Sequence, residues 1–275
     1  MALYLPIKIM ISYLNVFGKQ IPMFGVCCFL GIILACIIGF LLAKKSKYEF
    51  YDFALIVVIT LVCGYIGAKL LFFIVSFNDV LEIFRNYPFM IAFQTVMQGG
   101  FVFYGGFIGG FIGLFVTLKV MKKSFIEYAS IFAVGLTLAH SFGRIGCFFS
   151  GCCYGIEYDG LLSITYKTAI DAFTPLNTKL LPVQLIESAL LLILFGVLLF
   201  IYLKKDKPSK LVIIIYLICY PAIRFVIEFF RGDIERGTLG IFSTSQWISI
   251  IILITFVCVL VIDSIKKKKL SNKAK

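Results

Sequence analysis

The chain has 275 residues, of which 61% are hydrophobic and only 15% charged, and its mean hydropathy is +1.04. Soluble domains carry about 45–50% apolar and about 25% charged residues, so a water-soluble fold, a disordered chain and a disulfide-stapled secreted domain are all excluded. The net charge of +12 comes from 26 Lys and Arg against 14 Asp and Glu. Most of the excess is Lys clustered between apolar runs, which points to the cytoplasmic loops of a membrane protein and away from nucleic acid.

Residues 1–20 lack the basic start, continuous apolar core and small-residue cleavage site of a signal peptide, and read as an interfacial segment on the outer face. A spanning helix needs roughly 20 mostly apolar residues. Seven stretches qualify, at about 21–43, 51–76, 99–121, 125–148, 185–203, 211–230 and 246–263. Lys44, Lys45 and Lys47 follow the first; Lys119, Lys122 and Lys123 the third; Lys204, Lys205, Lys207 and Lys210 the fifth; Lys266 to Lys269, Lys273 and Lys275 the seventh. Every second connection is therefore Lys-rich, while the alternate ones carry mixed charge, such as Asp79, Glu82 and Arg85, or Asp233, Glu235 and Arg236. The positive-inside rule then sets the N-terminus outside and the C-terminus inside. Residues 149–183, punctuated by Gly151, Gly155, Gly160, Pro175 and Pro182, form a small extracytoplasmic cap. The expected fold is an all-α polytopic membrane protein: residues 1–275 as a single integral membrane domain with seven transmembrane helices.

Ionisable residues inside spans are costly and by default functional. Lys69 lies in the second span, His140 and Arg144 in the fourth, Glu187 at the start of the fifth, and Arg224 and Glu228 in the sixth. With the deduced orientation, all six fall toward the outer leaflet. His140, Arg144 and Cys147 are spaced i, i+4, i+7, and Tyr220, Arg224 and Glu228 are spaced i, i+4, i+8, so each trio shares a helical face. Three cations against two carboxylates leave positive charge for an anionic ligand, and at the outer leaflet a phospholipid phosphate suits the planar fork of Arg. The competing reading is an intrahelical Arg224–Glu228 pair, with Lys69 and Arg144 snorkelling to the headgroups. Glycines crowd the third span as helix packing requires, whereas Gly143, Gly146, Gly151 and Gly155 around Arg144 suggest a loop lining a cavity.

At these residues the chain resembles the prolipoprotein diacylglyceryl transferases, membrane enzymes that move diacylglycerol from phosphatidylglycerol to the lipobox cysteine of a prolipoprotein. The matching pieces are Gly67-Ala68-Lys69, the run from Gly99 to Gly106, the run from Gly143 to Gly155, Pro182 to Glu187, and Tyr220 to Arg231. The resemblance implies a multi-pass protein of the bacterial cytoplasmic membrane, with phosphatidylglycerol, a prolipoprotein or other acceptor, and the bilayer as partners. It implies no nucleic acid and no cofactor. Arg144 and Arg224 look like the family's two essential arginines, and Tyr220, Glu228 and Glu187 fall on its motif positions. Glu187 and Glu228 are expected in the catalytic set with His140 and Tyr104, and Lys69, Gly146, Cys147 and Gly155 join Arg144, Arg224 and Tyr220 in the substrate-binding set.

The departures lie in the chemistry. Tyr104 stands where the family usually has His before paired glycines, Cys147, Ser150 and Cys152 replace two Asn and a Glu of its signature, and Phe24 stands where it tends to carry Tyr. Transfer to a thiol needs a base for the acceptor and an electrophilic clamp on the departing glycerol phosphate. The clamp remains as Arg144 and Arg224. The base is either His140, the single His of the chain, or Tyr104; a packed helical His bonded to a backbone or hydroxyl group is the competing reading of His140. Cys147, Cys152 and Cys153 with His140 do not match a standard zinc spacing, so no metal is expected. Redox-active thiols or a disulfide remain open, and packing replacement is the favoured reading. The function expected is diacylglyceryl transfer, with a different acceptor or a non-catalytic lipid-binding or transport protein as alternatives.

Overall fold

The computed structural model describes residues 7–9, 12–100, 102–204, 210–233 and 238–273. In chain order the elements are β1 (Ile7–Ile9), β2 (Tyr13–Val16), β3 (Lys19–Pro22), α1 (Met23–Lys45), α2 (Phe50–Val75), α3 (Phe77–Asn86), α4 (Phe89–Gln98), α5 (Phe103–Val120) and α6 (Phe125–Ser150). They continue with β4 (Ile164–Tyr166), β5 (Lys179–Leu180), α7 (Val183–Lys204), α8 (Lys210–Glu228), β6 (Thr238–Leu239), β7 (Phe242–Ser243) and α9 (Thr244–Lys273). A helix follows each of the seven apolar stretches. Among the described residues, α1, α2, α6, α7 and α8 are long and apolar enough to cross a membrane, and Tyr104–Val120 and Thr244–Cys258 are shorter apolar helical stretches. The chain is a mostly helical, polytopic membrane protein. Lys205, Lys207, Glu235, Arg236 and Lys275 lie outside the described residues, as does part of the 1–20 segment.

Two features depart from the all-helical expectation. Residues 77–98, whose mixed charge reads as a plain connection, hold α3 and α4; Phe77, Val80, Leu81 and Phe84 recur at i, i+3, i+4 and i+7, one apolar face of a short helix. The cap and the N-terminal segment also hold short strands. β1 lies parallel to β4, with Ile7 opposite Ile164, and β4 is antiparallel to β5. β2 and β3 form a hairpin whose turn places Phe17 and Gly18 at positive φ.

The chain divides into two compact units, residues 40–128 and residues 1–39 with 129–275. In the first, α2 and α5 pack backbone against backbone. A Cβ on Gly67 would lie 2.3 Å from the Gly105 carbonyl oxygen, and one on Gly109 would lie 2.4 Å from that of Cys63. Glycine is what permits this approach, as in other membrane helix pairs. Tyr48 donates to Glu127 at 2.8 Å and stacks on Tyr128, while Lys123 pairs with Asp52.

In the other unit α1 lies against α6 through small residues: a Cβ on Gly31 would meet Phe142 at 2.7 Å, and one on Gly146 the backbone and ring of Phe24 at 3.1 Å. Ser188 of α7 donates to the Ser141 carbonyl of α6 at 3.0 Å. The cap has a small core of its own, built from Phe148, Tyr154, Ile164, Tyr166 and Leu180. The Tyr166 hydroxyl donates to the Phe148 carbonyl at 3.0 Å and thereby ties the strand to the last turn of α6. Exposed apolar side chains such as Ile193 and Ile251 on the helices face what in water would be solvent, as expected of surfaces that meet lipid.

Candidate functional site

Three helices of this second unit contribute the ionisable residues. Glu187 comes from the second turn of α7. It is 2% exposed. Its Oε1 lies 3.1 Å from Arg144 Nε of α6, and its Oε2 accepts from Arg224 Nη1 of α8 at 3.4 Å. One carboxylate thus joins both arginines.

The pairing continues along α8. Arg224 Nη2 lies 2.6 Å from Glu228 Oε2, one turn on, and donates to Ser245 Oγ of α9 at 3.1 Å. Arg231 approaches Glu228 at 3.8 Å and clasps Asp233 with a two-point fork, Nε to Oδ1 at 2.9 Å and Nη2 to Oδ2 at 2.6 Å. That fork keeps the Arg231 guanidinium charged against the cost of burial, with its pKa above the ordinary value. Ser245 is aimed by local sequence: Ser243 caps α9, the Gln246 N–H donating to Ser243 Oγ at 3.2 Å and the Ser243 N–H to Gln246 Oε1 at 3.0 Å. This reciprocal pair is a capping box.

The charges expected here were three cations against two carboxylates. Lys69 belongs to the other unit; within this one the structure shows Arg144, Arg224 and Arg231 against Glu187, Glu228 and Asp233, three charges of each sign. What remains is geometric. Arg224 uses both terminal nitrogens on protein partners, whereas Arg144, its side chain only 12% exposed, makes its one ion pair through Nε. Among the described residues, its two terminal nitrogens take no protein partner. Arg144 lies against Glu187 through a charge contact at Nε that is not a hydrogen bond, and its terminal nitrogens are the donors left for a ligand.

Around this fork, His140 lies one turn earlier on α6 with its ring 5.2 Å from that of Tyr220, and Tyr220 stacks on Tyr216 at 5.6 Å. Cys147 follows Arg144 on the same helix, and its sulfur and those of Cys152 and Cys153 all lie within 4.8 Å of one another. In the turn beyond α6, hydrogen bonding with Cys147 and Cys153, together with burial, pushes the Cys152 thiol well above the usual cysteine pKa. Gly155 pairs with Arg231 as an isolated bridge and leaves no room for a side chain, since a Cβ would meet the Leu181 carbonyl at 2.3 Å. Gly146 serves the contact with Phe24.

Lys69 and Tyr104 belong to the other unit. Lys69 is 5% exposed and donates to the carbonyls of Val96, at 2.9 Å, and Gly99 at the end of α4. A cation there satisfies carbonyls that a helix end leaves unpaired. Tyr104 is in the first turn of α5, 38% exposed. Arg231, Asp233 and Ser245 were not singled out from sequence. Arg231 could have been, because Tyr220, Arg224, Glu228 and Arg231 continue one helical stripe, and Ser243-x-x-Gln246 is a legible cap beside Ser245.

Comparisons with known proteins bear on this arrangement. The model of a family described as prolipoprotein diacylglyceryl transferase matches residues 12–262. A phosphatidylglycerol–prolipoprotein diacylglyceryl transferase 2 of Clostridium perfringens (strain 13 / Type A) is 33% identical over 259 residues, 93% of this chain and 96% of its own length. A phosphatidylglycerol–prolipoprotein diacylglyceryl transferase of Clostridium tetani (strain Massachusetts / E88) is 32% identical over 92% of this chain and 98% of its own. Another, from Finegoldia magna, is 27% identical over 93% and 94%.

Proposed function

The chain belongs to the prolipoprotein diacylglyceryl transferase family, and from that membership we propose that it moves the diacylglyceryl group of phosphatidylglycerol to the lipobox cysteine of a prolipoprotein at the outer face of the cytoplasmic membrane. The acceptor sulfur attacks the glyceryl carbon, a carbon–sulfur bond forms as the carbon–oxygen bond to phosphate breaks, and glycerol phosphate leaves with the bonding electrons. A base takes the thiol proton. The reading includes seven crossings with the N-terminus outside and the C-terminus inside, which the alternation of Lys-rich connections supports.

The observation that carries the assignment is the open fork of Arg144. An arginine held beside a buried carboxylate, with its terminal nitrogens unspent, suits a phosphate, as a planar pair of donors matches two phosphate oxygens. Negative charge builds on the leaving glycerol phosphate during transfer, so donors already in place stabilise the transition state more than the ground state. Arg224, saturated by Glu187, Glu228 and Ser245, acts through Glu187 as a positioning residue. Glu187 and Glu228 spend their oxygens on arginines and hold the clamp rather than take a proton. The base is His140 or Tyr104.

Arg144→Lys tests the reading, because an ammonium keeps the charge and loses the two-point contact. Release of labelled glycerol phosphate from phosphatidylglycerol, in the presence of a lipobox peptide, should fall about 10²–10³-fold, the usual cost of one such donor. Full turnover in Arg144→Lys would remove the phosphate clamp from Arg144. A parent protein that binds phosphatidylglycerol and never releases glycerol phosphate would remove the transferase assignment.

A further inference from the structure

The turn after α6 gathers three sulfurs with more structural support than packing needs. Cys147 lies in the last turns of α6, and the chain then reverses through Gly151 at φ +82° and Cys153 at φ +59°. A left-handed conformation at a non-glycine residue costs of order 1–3 kcal/mol and persists only where its surroundings impose it. Here they do. Ser150 O accepts from the Ile170 N–H at 3.0 Å, Gly151 O from Thr174 Oγ1 at 3.2 Å, Cys152 O from Gln184 Nε2 at 2.8 Å, and Tyr154 O from the Gly232 N–H at 3.0 Å. Neighbouring side chains in an extended run diverge; this pinned turn instead brings Cys152 and Cys153 to the same side as Cys147, all three sulfurs within 4.8 Å of one another. None of the three is in a disulfide.

We propose that Cys147, Cys152 and Cys153 form a three-sulfur binding site for a thiophilic metal ion of the zinc(II) or copper(I) class. Metal–sulfur bonds of about 2.3 Å place ligand sulfurs roughly 3.8–4.0 Å apart, so side-chain rotation of less than about 1 Å closes the site on an ion. Thiolate ligands select these soft ions over magnesium or calcium. The guanidinium groups of Arg144 and Arg231 are near enough to act on Cys147 and Cys153 and favour their thiolate forms, though each is shared with a carboxylate. Sequence spacing hid the site: Cys-x4-Cys-Cys is no standard ligand pattern, and it is the pinned turn that makes adjacent cysteines converge. His140 is not a fourth ligand, because it precedes Cys147 by two helical turns, roughly 10 Å along α6.

Metal binding is read directly, so the test stands apart from transferase activity. The full-length reduced protein in detergent, under anaerobic conditions, is titrated with zinc(II) and separately with copper(I) against a chromophoric chelator. One equivalent of at least one of the two ions should be retained per chain. Cys147→Ser, Cys152→Ser and Cys153→Ser should each weaken retention more than about 10²-fold, beyond the loss caused by disturbing groups that only support a ligand. Cys36→Ser and Cys219→Ser should retain the parent stoichiometry. Should the turn variants fail to fold, X-ray absorption at the metal edge of the loaded parent must show three sulfur neighbours near 2.3 Å. Failure of both ions to compete with the chelator, retention unchanged in the three variants, or an absorption edge without sulfur neighbours would each overturn the site.

Discussion

Glu187→Gln is the substitution that most sharply separates a buried, shared carboxylate from an ordinary ion pair. Glutamine keeps the volume and one acceptor oxygen but removes the charge on which Arg144 and Arg224 both lean. Arg224 retains Glu228 at 2.6 Å; Arg144 is left with no carboxylate partner among the described residues. Removing one partner of a buried pair costs about 3–5 kcal/mol, and a neutral hydrogen bond to the new amide recovers about 1 kcal/mol, so the net loss should be roughly 2–4 kcal/mol. The exposed pair of Lys179 and Asp159, with side chains 50% and 76% accessible, supplies the control: Asp159→Asn should change stability by less than about 1 kcal/mol. Unfolding of both variants in the same micelles measures the contrast. Turnover gives a second reading, because an Arg144 fork displaced by about 1 Å should lower kcat about 10²-fold. If Glu187→Gln unfolds with Asp159→Asn and keeps the parent kcat, the shared-carboxylate argument fails.

Four further outcomes follow from other parts of the structure. If His140 is the base, His140→Gln should lower the transfer rate about 10²–10⁴-fold with phosphatidylglycerol binding nearly intact, while Tyr104→Phe stays active; the reverse pattern assigns the proton to Tyr104. Ser243→Ala removes the cap of α9 and should cost about 1 kcal/mol in an unfolding measurement, with a smaller loss of turnover through Ser245. Gly67→Ala would push a methyl to 2.3 Å from a backbone oxygen of α5 and should destabilise by about 1–3 kcal/mol or more. Gly196→Ala in α7, which meets nothing within 4 Å, should be neutral or stabilising by up to about 1 kcal/mol.

The helices were legible because the signal that makes a span, an apolar run of fixed minimum length, is local and strong. Shared faces were legible for the same reason: Arg144 against His140 and Cys147, and Arg224 against Tyr220 and Glu228, depend only on helical repeat. Partners across helices were not. Nothing in the neighbourhood of Arg224 predicts that Ser245 would reach it, and Asp233 looks like an ordinary loop acid until its fork with Arg231 is seen. Strand β1 has three residues and no sheet of its own, and only β4, far along the chain, makes it a strand. The charges of 77–98 outweighed a short apolar repeat that α3 uses. The convergence of Cys152 and Cys153 with Cys147 rests on two positive φ angles and on hydrogen bonds from residues 20 and more positions away.

The three arginines also show why counting charges misjudges a membrane site. Within this unit, with Lys69 belonging to the other and with Arg231 and Asp233 included, three cations meet three carboxylates, so a surplus among these six residues is not what draws a phospholipid. A low-dielectric interior makes unpaired ions costly, so Glu187, Glu228 and Asp233 neutralise the site almost entirely. The Arg144 fork is the group proposed for the ligand, since among the described residues its terminal donors have no protein acceptor. A donor left unsatisfied inside a membrane protein weakens the fold, and folds tolerate such losses where function needs them. On the proposed reading one residue divides the labour: the carboxylate beside Nε holds the guanidinium, and the ligand takes the terminal nitrogens. Phosphate recognition as proposed would then complete the hydrogen bonding of a charge-balanced network and select by shape as well as by charge.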